Sequence, residues 1–283
     1  MTRDHVTLEL PKILDLLAEQ VSTADAAAAA RSLEPSGDYD AVLRLLDETD
    51  AAYQLMARFG APSFGGTESV LNALRRAEAG ASLSLRELLH VAAVLQTIRG
   101  VKDWRRRCEG VETVLDDRFD TLAPNAFLEN AIVTSVVSEE EVADAASAEL
   151  KEIRRKMRAA NTRARDTLDK IIHSPTYQKA LQEPIVTIRN GRFVVPVKME
   201  FRSAVPGLVH DTSASGATVF IEPMGAVEAN NELRTLALKE QAEIERIIAA
   251  LSAQVGQFAE SLAADYHILT ELDLIFGKAR LAY

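Results

Sequence analysis

A single cysteine, Cys108, stands among the 283 residues, which excludes an intrachain disulfide and any site built from several thiolates. Aromatic residues make up only 5% of the chain, a composition that suits helices better than sandwiches or barrels. No uninterrupted run of about 18 apolar residues occurs, and the opening MTRDHVTLEL has no apolar stretch of signal-peptide length. These absences predict a soluble, cytoplasmic protein without a membrane partner. A phosphate-cradling G-x-x-x-x-G-K-[S/T] loop is missing too: Gly277-Lys278 is followed by Ala279 and has no first glycine. The five histidines, His5, His90, His173, His210 and His267, show no metal-ligand spacing. Structural or solvent-facing roles are expected for them, and neither a metal nor a cofactor is expected in this chain.

What is abundant is helix-forming. Hydrophobic residues reach 47%, enough for a core. Over residues 7–30, Leu8, Leu10, Ile13, Leu16 and Leu17 keep helical spacing, with Ser22 or Thr23 as the next N-cap. Tyr39 to Phe59 reads as an amphipathic helix closed by Gly60. Further helices are expected near 67–79 and 84–107, with shorter ones around LDDRF and NAFLENAIV. Residues 1–138 thus read as a helical core domain.

Two stretches behave differently. Leu150, Ile153, Met157, Ala160, Ala164, Thr167 and Ile171 alternate steps of three and four, a heptad seam with charged flanks. A second seam runs through Ile244, Ile248, Leu251, Val255, Phe258, Leu262, Tyr266, Leu269, Leu272 or Asp273, and Phe276. It implies one helix over 227–283, about 55 residues and on the order of 80 Å long. Between the seams, PIVTIR, RFVVPVKMEF, GLVHD and ATVFIEP read as strands. Asn190-Gly191 between the first two is a tight-hairpin signal, and Pro196 suggests an edge strand or a bulge. The expected fold is therefore mostly α: a helical core domain plus two long antiparallel lever helices carrying a small antiparallel β clamp insert. The expected divisions are 1–138 core, 139–176 first arm, 177–223 β insert and 224–283 returning arm.

Charge is distributed unevenly. Residues 1–150 carry fourteen Lys/Arg against twenty-six Asp/Glu, residues 203–283 five against eleven, and residues 151–202 thirteen against five. Acidic partners at i,i+4 look scarce in the basic stretch, and its excess continues onto the β insert. Basic residues on a projecting element can neutralise phosphates and release counterions without reading sequence. The candidate nucleic-acid contacts are Arg189, Arg192, Lys198, Arg202 and Lys179 on the insert, with Arg163, Arg165 and Lys170 on the first arm. The neighbours His210, Asp211, Ser213 and Ser215 in HDTSASG could suggest a hydrolase triad. Adjacent strand residues point to alternate faces, so a Ser/Gly-rich turn is the expected reading and no catalytic residue is assigned.

YQKALQEPIVTIRNGRFVVPVK (177–198), GLVHDTSASGATVFIEP (207–223), ANNELR (229–234) and ELDLIFGKARLA (271–282) resemble the second bacterial MutS family, MutS-two. LELPKILDLLAE, LEPSGDYDAVLRLLDETDAAYQL and GAPSFGG fit the same family. The resemblance implies a MutS core, lever and clamp, and it implies that an ATPase using ATP and Mg and a C-terminal nuclease lie beyond this stretch, which would be a fragment and not itself an enzyme. It further implies a homodimeric full-length protein acting on branched or recombining DNA and suppressing homologous recombination, or alternatively a ribosome-binding factor contacting ribosomal RNA; a purely structural dimerisation lever is the third possibility. Phe127-Leu128-Glu129 matches the Phe-x-Glu wedge of mismatch-repair MutS, but inside an expected helix it reads as coincidence.

Overall fold

The computed structural model describes residues 9–65 and 68–283; the expected helix starts at residues 7 and 67, together with Leu8 and His5, fall outside them. In chain order the helices are α1 (Leu10–Glu19), α2 (Ala24–Arg31), α3 (Tyr39–Phe59), α4 (Leu71–Glu78), α5 (Leu85–Arg107), α6 (Asp116–Thr121), α7 (Ala126–Ser135), α8 (Ala148–Ile172), α9 (Met224–Gln257) and α10 (Ala259–Ala282). The strands are β1 (Val136–Ser138), β2 (Glu141–Val142), β3 (Thr187–Arg189), β4 (Arg192–Lys198), β5 (Gly207–Thr212) and β6 (Thr218–Pro223). The chain divides into two compact units, one of residues 1–143 and 248–283, the other of residues 144–247. The boundary falls inside α9.

In the first unit the helix starts follow their capping chemistry. The Thr23 hydroxyl oxygen accepts from Ala26 N–H, Asp38 caps Ala41, and Ser84 with Glu87 forms a reciprocal capping box. Gly60 closes α3 at φ 76°. Helix α10 is the centre of this unit: Leu262, Tyr266, Leu269, Leu272, Ile275 and Phe276 are all buried. Phe276 lies 5.7 Å from both the Phe64 and Trp104 ring centroids. Even its acid is enclosed: fully buried Asp273 accepts from the N–H groups of Ser22 (2.8 Å) and Thr23 (2.9 Å) at the start of α2. Cys108 is buried, and burial pushes its thiol above the usual range, away from the reactive thiolate.

The single helix expected over 227–283 does not form. It breaks at Phe258, between α9 and α10. Just before the break, Gly256 packs so close to α4 that a Cβ would sit 2.5 Å from the Ala77 carbonyl oxygen. The Leu83 N–H donates to Ser252 Oγ at 2.9 Å beside it. These contacts are tertiary, so an apolar spacing that runs through the break gives no sign of it. No single helix among the described residues is long and apolar enough to cross a membrane.

In the second unit α8 starts at Ala148 with Ser147 as N-cap, so the helical arm begins later than residue 139. Its buried face is Leu150, Ile153, Ala160, Ala164, Leu168 and Ile172. The last two replace the expected Thr167 and Ile171, because from Ala160 onward the apolar stripe advances by four, as on a straight 3.6-residue helix. Ser147 contacts Glu243, Arg154 contacts Glu240 and Arg163 contacts Glu232. One number rises as the other falls, so α8 and α9 run antiparallel here. A four-stranded antiparallel sheet, in the order β3-β4-β6-β5, occupies the sequence between them.

Candidate nucleic-acid interface

The sheet begins with the Asn190-Gly191 turn. Both residues have positive φ, 51° and 72°, and Arg189 pairs directly with Arg192 across the turn, the signature of a type I′ hairpin. Phe193, Val195 and Val197 of β4 and Val219 and Ile221 of β6 form one apolar face, packed with Ala164, Leu168, Ile172 and Ala226. Pro196 lies in an inner strand, not at an edge. Its carbonyl accepts from Gln182 N–H at 2.9 Å, and a strand residue's nitrogen points to the same side as its carbonyl. The missing N–H therefore faces the short 180–182 segment, and pairing with Phe220 of β6 is kept.

The opposite face carries a buried polar cluster that sequence reasoning missed. Glu222 of β6 is fully buried and accepts two hydrogen bonds from Arg192 Nη1, at 2.7 and 2.9 Å. His210, at the bulge of β5, brings Nε2 to 2.5 Å of Glu222 Oε2. Asn230 of α9 donates to the same carboxylate at 2.7 Å and brackets the Phe193 backbone, accepting from its N–H and donating to its carbonyl. Arg192 also donates to Asn231 at 2.7 Å. Every partner of the buried carboxylate is thus a donor, as a charge away from water requires. The only advance signal was a glutamate inside VFIEP with an Asn pair eight and nine residues on.

His210 is accordingly oriented by Glu222 and not by a neighbouring serine. Ser213 instead closes the turn, accepting from Thr218 N–H. Among the described residues no group of three or more His, Cys, Asp or Glu could hold a metal ion. Glu129 is mostly buried and paired with Arg99 at 2.8 Å, while Phe127 is exposed on α7.

The basic residues sort into two sets. Residues 144–247 contain sixteen Lys/Arg against fourteen Asp/Glu, so the excess seen over 151–202 is nearly offset within its own unit. Acidic partners do exist, contrary to the expectation from i,i+4 spacing: Arg154 meets Asp144 and Glu240, Arg158 meets Asp144, and Arg155 and Lys156 meet Glu152. Among the eight candidates, Arg163 pairs with Glu232, Arg192 with Glu222, and Arg189 with Asp211 at 3.4 Å while stacking 4.2 Å above the Phe220 ring. Lys179, Lys198, Arg202, Arg165 and Lys170 have no carboxylate within salt-bridge reach among the described residues. The Arg165 guanidinium lies 5.8 Å from the Phe193 ring centroid. Lys179 and Lys198 are brought together by the Leu181–Val197 bridge, and Lys198 Nζ donates to the Lys179 carbonyl at 3.3 Å. Arg202 follows on the exposed 3₁₀ turn Met199–Ala204.

Over 278 residues, 97% of this chain, the sequence is 43% identical to Endonuclease MutS2 of Acetivibrio thermocellus. This chain belongs to the MutS2 family. The corresponding proteins of Pelotomaculum thermopropionicum and Lachnospira eligens, also named Endonuclease MutS2, are 44% and 41% identical over 96% and 98% of it. The chain spans about a third of the length of these relatives, 35% in each case. No protein-family profile matches it. Family membership agrees with the motifs of the β insert, whose Asn-Gly turn, Glu222 and Asn230 all have defined structural duties here.

Proposed function

We propose that this chain is the nucleic-acid-gripping part of a MutS-like ATPase, with α8 and α9 as lever arms and the four-stranded sheet as clamp. In this reading it acts on branched or recombining DNA within a dimeric protein and contributes grip and not chemistry. ATP, Mg and the cutting activity in the relatives' name are proposed for the rest of the full-length protein. The observation that carries the reading is the set Lys179, Lys198 and Arg202. They sit close in sequence and fold, none is taken up by a carboxylate, and flexible cations so placed bind phosphates through counterion release. Arg165 and Lys170 on α8 are proposed as supporting contacts. Arg192, Arg189 and Arg163 drop to structural roles, because their charge is already matched.

Fluorescence-anisotropy titration against duplex DNA, a four-way junction and a ribosomal RNA fragment tests this. The triple variant Lys179→Glu/Lys198→Glu/Arg202→Glu is expected to lose binding to the preferred ligand by at least about tenfold, the scale of several lost phosphate contacts. Unchanged binding by the variant would overturn the proposal. A preference for ribosomal RNA over the junction would favour the ribosome as target over recombining DNA.

A further inference from the structure

Four aromatic residues lie in the second unit. Tyr177 and Phe193 pack in its apolar core, and Phe220 lies under the Arg189 guanidinium. Phe201 differs: the residue is 39% exposed, and Met199 on the same turn is 42% exposed. Both stand on the turn Met199–Ala204, between Lys198 and Arg202 and next to Lys179. The turn is anchored at its start, where Met199 N–H donates to the Ala217 carbonyl at 3.0 Å. At Phe201 the backbone leaves helical geometry, at φ −107° and ψ 19°. An isolated exposed phenylalanine needs no explanation. One held on a pinned turn within a cluster of unpaired cations is the arrangement by which single strands are gripped, with phosphates on the cations and a base on the ring. Glu200 on the same turn is the one acid there, and it disfavours a closely stacked pair of phosphate backbones more than a single strand.

We infer that Phe201 is a stacking platform for an unpaired nucleobase, making the Lys179–Lys198–Arg202 cluster a site for single-stranded nucleic acid, such as the exposed strand at a branch. The inference rests on the proposed phosphate contacts and adds the ligand class. Its test is anisotropy with an oligo-dT and an oligo-U of about 12 nucleotides, the span of one such site, alongside a duplex of equal length. Phe201→Ala is expected to weaken single-strand binding by about fivefold or more, the scale of one lost stacking contact. Duplex affinity should stay within about twofold, and Phe201→Trp should keep the single-strand preference. Because the side chain is exposed, thermal unfolding should be unchanged in both variants.

If Phe201→Ala weakens both ligands equally, or neither, the stacking inference is wrong while the cation site survives. If the cation variant binds every ligand like the unsubstituted chain, the proposed contacts fail and the inference fails with them. Absence of binding by the unsubstituted chain at low salt overturns both. Equal losses for oligo-dT and oligo-U mean that the sugar is not read; loss confined to one assigns the site to DNA or RNA.

Discussion

Replacing Arg192 by methionine removes two hydrogen bonds to a fully buried carboxylate and one to Asn231, while leaving the aliphatic volume largely in place. Glu222 keeps Asn230 at 2.7 Å and His210 at 2.5 Å, so it is under-paired and not abandoned. Breaking a buried ion pair by removing one partner costs about 3–5 kcal/mol; the remaining partners argue for the lower end, about 3 kcal/mol. That corresponds to about a hundredfold increase in opening of the sheet, read as lost hydrogen-exchange protection at the amides of β4 and β6. The double variant Arg192→Met/Glu222→Met removes the stranded charge and should recover most of the loss. A single-variant effect below about 1 kcal/mol, the range of exposed pairs, would refute the buried-keystone reasoning. So would a double variant as unstable as the single one. Arg192→Glu would set a second carboxylate against Glu222, so any loss of binding it caused could come from unfolding.

Arg246 and Ser147 donate to Glu243 and hold its carboxyl down at about 2, from an ordinary 4.5. A depressed carboxyl stabilises the fold above the unfolded-state value and loses that contribution as pH falls toward the folded one. The Glu243 contacts with Arg246 in α9 and with Ser147 at the start of α8 should therefore weaken between about pH 4.5 and 2, and Glu243→Gln should flatten that part of the stability–pH curve, followed by circular dichroism. Gly256→Ala drives a Cβ to 2.5 Å from a backbone oxygen, and should destabilise the first unit by about 1–3 kcal/mol, the range for overpacking; an unchanged melting temperature would contradict the close approach. Gly191→Val should cost about 1–2 kcal/mol through its left-handed backbone, seen as reduced exchange protection across β3 and β4.

Local chemistry was legible in the sequence, and tertiary chemistry was not. Asn190-Gly191 and the Thr23 and Gly60 caps are short-range signals, and each forms as its residues dictate. The heptad on α8 was readable as far as Ala164, beyond which a strict three-four alternation assigned Thr167 and Ile171 in place of the buried Leu168 and Ile172. The second seam ran unbroken through Phe258, while Gly256 just before the break packs against Ala77, a contact far away in the chain. The basic residues were legible as an island of charge, yet most of their neutralisation was not. The partners Asp144, Glu232 and Glu240 lie 10, 69 and 86 positions from the arginines they meet, beyond any i,i+4 search. Arg192 read as one of the eight candidate phosphate contacts and is the counter-charge of Glu222.

The salt dependence of binding tests the central claim most directly. Each phosphate contact contributes about 0.7–0.9 to the slope of log K against log salt. Neutralising Lys179, Lys198 and Arg202 to glutamine should lower that slope by about two to three for the preferred nucleic acid, while Arg192→Met/Glu222→Met leaves it unchanged. The same slope in the triple-glutamine variant as in the unsubstituted chain would contradict the assignment of these cations to phosphate.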